Sequence, residues 1–270
     1  MTGFNAPPSN VLFEITPLFG IAEPFSSISH LLVAICLALY ARLLFRTLKT
    51  KTARFGVGLY LFGCLFSMIV SSVYHMVNPF TYQRMVLRRL DHSAIFFMIA
   101  GTFTGGHLPS FKSFAGKWVV PSILWCLALF GVIMKTFFFD LLSDFLSNIV
   151  YLICGWLGIF SMLQLHLVYG SEARQTIKHL FLGGVFYSTG AIIALIFGEH
   201  LVLVKGHFYA HEVFHIFVAI GVYYHFLFVL SCVHNFHPRI VHRFVTMDDS
   251  TRQDSFTLKS SGYYPLIKED

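Results

Sequence analysis

The chain has 270 residues, of which 56% are hydrophobic and only 12% charged, with 31 phenylalanines and a mean hydropathy of +0.70. A water-soluble domain carries roughly a quarter charged residues, so this composition excludes a soluble globular protein and points to a polytopic membrane protein. The formal net charge of +6 is modest, and basic connections orient a membrane protein more often than they bind nucleic acid.

Spans of about 20 apolar residues are long enough to cross a bilayer, and the sequence predicts seven of them: 27–45, 55–77, 90–108, 118–138, 146–168, 177–197 and 210–234. The expected fold is all-α, a seven-transmembrane-helix bundle of one domain (27–234). A short N-terminal segment (1–26) precedes it and a polar C-terminal tail (235–270) follows. Met1 to Glu23 hold no Lys or Arg ahead of the first apolar run, so the first span is expected to be retained, not cleaved as a signal peptide. The third span is the least hydrophobic, because Asp91, His92 and Ser93 open it. Cys36, Cys64, Cys126, Cys154 and Cys232 lie scattered in apolar segments without a CxxC pair and read as small hydrophobes in packed helices.

With seven crossings, the N-terminus shares a membrane face with the second, fourth and sixth connections, which carry Arg84, Arg88, Arg89, Lys135 and Lys205. The other face carries Arg42, Arg46, Lys49, Lys51, Arg54, Lys112, Lys117, Arg174, Lys178 and, in the tail, Arg239 and Arg243. The positive-inside rule then places the N-terminus outside and the tail in the cytoplasm.

The same parity sorts the polar residues inside the spans. His75 ends the second span, Asp91 opens the third, and His211 and His215 open the seventh, so all four fall at one membrane face and at similar depth. Glu23 and His30 share that face. Two histidines four apart lie on one side of a helix, and polar groups are costly to place in a membrane, which marks them as functional. His75, His211 and His215 supply three imidazoles for zinc and leave a fourth position open, the arrangement of a catalytic site. Asp91 is placed to take a proton or to ligate, and Ser71 lies one turn before His75 on the same face. His225 projects as His211 does, but ~20 Å deeper at helical rise. It reads, with His30 and His166, as a histidine bonded to a neighbouring helix.

His211-Glu212-Val213-Phe214-His215 also fits H-E-x-x-H, the pattern in which Glu serves as base of a zinc protease. Intramembrane metalloproteases draw a further ligand from a later acidic motif. Here the next acidic residues, Asp248 and Asp249, lie in the tail, and the extra candidates lie upstream. The base is therefore assigned to Asp91.

Ser71-Ser72-Val73-Tyr74-His75, Leu90-Asp91-His92-Ser93-Ala94-Ile95-Phe96 and His211-Glu212-Val213-Phe214-His215-Ile216-Phe217-Val218 occur in that order. Together they resemble the hemolysin III / progestin and adipoQ receptor (PAQR) family, as do Ile99 to Thr104, His225-Phe226 and the first-span start Glu23 to His30. The resemblance implies a seven-helix bundle with zinc on His75, His211 and His215, Asp91 beside it, and Ser71 in the family's S-x-x-x-H motif. Gly105 stands where bacterial relatives often carry proline, and Phe103 where they often carry tyrosine. Adiponectin receptors of the family have a cytoplasmic N-terminus and zinc site, the reverse of what the loop charges favour. Three functions are consistent with this pattern: a zinc-dependent hydrolase of lipid amides or esters acting on a ceramide-like substrate, a receptor with structural zinc, or a membrane-lytic hemolysin. No D-R-Y follows the third span and no N-P-x-x-Y ends the seventh, which separates the chain from G-protein-coupled receptors. Membrane lipids are the expected partners.

Overall fold

The computed structural model describes residues 17–141, 143–197, 201–205 and 207–238; the tail cations Arg239 and Arg243 lie outside them. Eight α-helices follow in order: α1 (Pro24–Phe45), α2 (Lys51–Met76), α3 (Tyr82–Ser110), α4 (Phe114–Phe137), α5 (Asp144–Trp156), α6 (Gly158–Tyr169), α7 (Arg174–Phe197) and α8 (Ala210–Ser231). A small antiparallel hairpin, β1 (Val202–Val204) with β2 (Phe208–Tyr209), joins α7 to α8. A π-helical turn, Cys232–Phe236, extends α8.

Local chemistry sets several starts. The side chains of Thr50, Thr81, Ser113 and Ser143 each accept a hydrogen bond from a backbone N–H three residues on, satisfying one of the donors a helix start leaves open. Before α1, the backbone N–H groups of Ala22 and Glu23 donate to the carbonyls of Met76 and His75. The start of α1 is thereby tied to the end of α2.

Helices in lipid gain little from hydrophobic association and pack through small residues instead. Gly63 and Gly101 do this between α2 and α3: an added Cβ would sit 2.4 Å from the Phe97 carbonyl oxygen and 2.7 Å from that of Leu59. α8 packs against α7 on one side and α1 on the other. Val57, Tyr60, Cys64, Met68, Phe96, Phe103, Val218 and Val222 fill the interior, while Leu39, Phe62, Leu129 and Leu167 point outward, as a lipid-facing surface does.

Among the described residues, five stretches are long and apolar enough to cross a membrane: Pro24–Phe45, Lys51–Met76, Phe114–Phe137, Phe145–Phe197 and Ala210–Phe236. The chain is thus an all-helical, multi-pass membrane protein. Each predicted span falls on helix, with two differences. The fifth is not one helix: α5 ends and α6 begins at Leu157. There Gly158 faces the ring of Phe103, and a Cβ would lie 2.8 Å from its Cζ. The third begins at Tyr82, a full two turns before residue 90. Arg84, Arg88 and Arg89 are therefore helical residues, not part of a connection. α3 is otherwise continuous through Phe103 and Gly105 to Ser110.

Candidate metal centre

The last turn of α2 presents His75, and the first two turns of α8 present His211 and His215. Nε2 of His211 lies 3.5 Å from Nε2 of His75 and 3.0 Å from Nε2 of His215, and ligand atoms of all three fall within 4.8 Å of one another. Zinc–nitrogen bonds of 2.0–2.1 Å in a tetrahedral shell put ligand atoms about 3.3 Å apart, between the two spacings observed. His75 and His215 are buried, whereas His211 is exposed.

The outward nitrogens are also engaged. Nδ1 of His75 meets the Glu23 carboxylate, and Nδ1 of His215 lies 2.7 Å from Nε2 of His30. The Glu23 carboxylate can only accept, so it places the proton of His75 on Nδ1 and turns its Nε2 lone pair toward the common centre, as partners of metal-bound histidines do; His30 does the same for His215 when its Nε2 accepts. The donor set fits a zinc ion on chemistry and spacing alike.

Glu23 is held in turn by Arg84, whose guanidinium donates to the other carboxylate oxygen and to the carbonyls of Tyr74 and Val77. It also lies 3.8 Å from the centroid of the Tyr74 ring. Sequence reasoning assigned Arg84 to a loop and gave Glu23 no role. A signal was present: Arg84 and Asp91 are seven apart, on one face of a helix.

Asp91 stands outside the three-histidine group but lines the same cavity, as does Ser71, whose hydroxyl reaches the Asp91 carboxyl. Glu212 lines the same cavity but is engaged elsewhere. It is buried, and accepts hydrogen bonds from the Ser26 hydroxyl and the Tyr209 backbone N–H, both at 2.9 Å, so it caps α8. His30, expected to bond a neighbouring helix, does so through His215; His166 instead lies on the exposed face of α6. From the histidines a cavity of about 590 Å³ runs inward between α2, α3, α5, α6, α7 and α8, and Ile95, Met98, Ile99, Leu152 and Met162 are among its walls.

Residues 21–226 match the family described as haemolysin-III related. The chain belongs to the hemolysin III/PAQR family. It is 39% identical over 141 residues to a hemolysin-3 homolog of Bacillus subtilis, covering 51% of this chain and 60% of that protein. To hemolysin-3 of Bacillus cereus it is 34% identical over 183 residues, covering 66% of this chain and 73% of that protein. The matched region spans Glu23, His75, Arg84, Asp91, His211 and His215, so the whole constellation lies within the part of the chain that defines the family.

Proposed function

We propose that this hemolysin III/PAQR protein is a zinc-dependent hydrolase of lipid amides or esters, with His75, His211 and His215 as metal ligands in a bundle crossing the membrane seven times. The observation that carries the reading is the convergence of three imidazole nitrogens at one end of a largely apolar cavity. Zinc in such a shell polarises a carbonyl and makes water acidic enough to react near neutral pH. The chain's own residues do the rest. Asp91 is the general base, its carboxylate taking up the proton, and the Ser71 hydroxyl orients that carboxylate. Ile95, Met98 and Ile99 exclude water and accept an acyl chain, which suits a ceramide-like substrate.

A second reading has support of its own. The histidines tie the end of α2 to the start of α8, and Glu23 and His30 bring in α1, so zinc could act structurally in a receptor. The hemolysin names of the relatives raise direct lysis as a third. A pore wants a polar stripe along several helices, whereas the charged groups here collect at one end. For orientation, Arg84 is neutralised inside the bundle by Glu23 and carries no orienting charge. This supports an outside N-terminus, which tag accessibility at both termini tests.

Purified protein and its Asp91→Ala variant, assayed for zinc content and for fatty-acid release from a ceramide panel, separate the first two readings. Release by wild type and its loss in the variant, with zinc retained by both, is the expected result. Zinc retained with no turnover by wild type on any lipid amide or ester would leave a structural metal. Wild-type zinc stoichiometry in both His75→Ala and His211→Ala would remove the metal site itself.

A further inference from the structure

The cavity that starts at the histidines does not end on a purely apolar floor. Along α8 its lining runs from His211 through His215 and Val218 to His225, fourteen residues or ~21 Å of helix. Along α7, which runs the opposite way, the lining extends from Ala194 to Leu180. Most of the deep end is apolar, with Met98, Phe103, Met162 and Leu180. Thr102 and Ser188 also line it, but their hydroxyls are spent on carbonyls of their own helices, which leaves His225 and Tyr187.

Their polar atoms are poorly served. The Leu180 carbonyl approaches the His225 ring, yet Nε2 is buried with no partner in hydrogen-bonding geometry. The Tyr187 hydroxyl reaches the sulfur of Met98 at 4.0 Å, a weak acceptor. The two rings meet edge to face with centroids 5.2 Å apart, and both residues line the cavity. Gly183 makes room for the imidazole: a Cβ there would lie 2.1 Å from Cδ2 and 2.4 Å from Nε2 of His225. A buried polar group left without a partner is costly, and an apolar side chain would close this floor without that cost.

We propose that His225 and Tyr187 form a second polar station, which takes a hydroxyl carried on the chain of an elongated amphipathic lipid whose head lies at the three histidines. The proposal rests on reading the cavity as a lipid site. A hydroxyl donates and accepts at once, so it satisfies an imidazole nitrogen and a phenol together. An alkyl chain satisfies neither, and a charged group would be expensive at this depth. His225 lies ten residues beyond His215, ~15 Å along α8, so the hydroxyl sits well down a long acyl chain and not beside the head group.

The test titrates zinc-loaded, full-length protein in lipid nanodiscs with two long-chain fatty acids, one unsubstituted and one bearing a mid-chain hydroxyl. The hydroxylated acid binds wild type about tenfold more tightly, the worth of one well-made hydrogen bond. His225→Leu and Tyr187→Phe each bring the two acids to equal affinity, with the unsubstituted acid bound at least as well as before. Tyr187→Phe removes a single oxygen atom and decides the matter alone if His225→Leu does not fold. Equal affinities in wild type, or a preference that survives Tyr187→Phe, overturns the proposal. Zinc is measured on the same samples. Stoichiometric zinc with no binding of either acid overturns the station and leaves the metal site standing, whereas the preference without zinc supports the station and counts against the metal.

Discussion

Glu23→Gln tests whether the metal centre is positioned from outside its ligands. One carboxylate oxygen of Glu23 takes the proton-bearing Nδ1 of His75 and the other takes the guanidinium of Arg84. The side chains of His75, Arg84 and Glu23 are 3%, 8% and 11% exposed, so water screens neither bond as it would at a surface. A glutamine keeps one acceptor oxygen, and its NH₂ faces a donor whichever way the amide turns. Loss of such an outer partner lowers metal affinity about 10–100-fold, or ~1.4–2.7 kcal/mol. That range agrees with the ~1.5–3 kcal/mol assigned to a hydrogen bond with a charged group. Stripping Arg84 of its counter-charge also destabilises the zinc-free protein, by ~3 kcal/mol at the lower end of the range for a broken buried pair, because the Tyr74 and Val77 carbonyls still hold the guanidinium. Chelator competition on purified protein measures the affinity, and thermal unfolding with and without zinc measures the stability. Arg84→Met is the control: it leaves Glu23 on His75, and so costs stability while weakening zinc much less. A Glu23→Gln affinity indistinguishable from wild type would refute the reasoning, because the Nδ1 bond would then not be setting the lone pair of His75.

Asp91→Asn keeps stoichiometric zinc but slows fatty-acid release from a ceramide by about 10²–10⁴-fold, the usual worth of a general base. Equal rates would move the base elsewhere. Glu212→Gln keeps zinc and hydrolysis and lowers stability by ~0.5–2 kcal/mol, since only a helix cap and its charge are altered; loss of turnover with folding intact would revive Glu212 as a base. Gly63→Ala puts a Cβ 2.4 Å from the Phe97 carbonyl oxygen and costs ~1–3 kcal/mol by forcing α2 and α3 apart. Thermal unfolding reads this against Gly58→Ala, where the added carbon meets nothing within 4 Å.

Composition and long apolar runs were enough to find the membrane class and to place helices α1, α2, α3, α4, α7 and α8. They missed the first two turns of α3 for a definite reason. A hydropathy window counts Arg84 as a charge and cannot see Glu23, 61 residues away, neutralising it inside the bundle. The break at Leu157 was hidden likewise, because no proline marks it and the Phe103 ring that Gly158 accommodates comes from another helix. The depth of the site was readable because it needs only the number of crossings. That His211 and His215 come together was readable because histidines four apart on a helix are a local fact.

The outer partners required contacts between helices, yet they left a mark in the sequence. Glu23, Ser26 and His30 are spaced three and four apart, which is one stripe of a helix, on a segment that is otherwise strongly apolar. In the structure that stripe serves the whole centre: Glu23 holds His75, Ser26 holds Glu212, and His30 holds His215. A membrane helix that carries a carboxylate, a hydroxyl and an imidazole on one line has to face polar groups elsewhere in the bundle, since lipid cannot solvate them. The H-E-x-x-H turn at the start of α8 is where two of those three contacts end. Its glutamate is a helix cap gripped by α1, and only its histidines join His75.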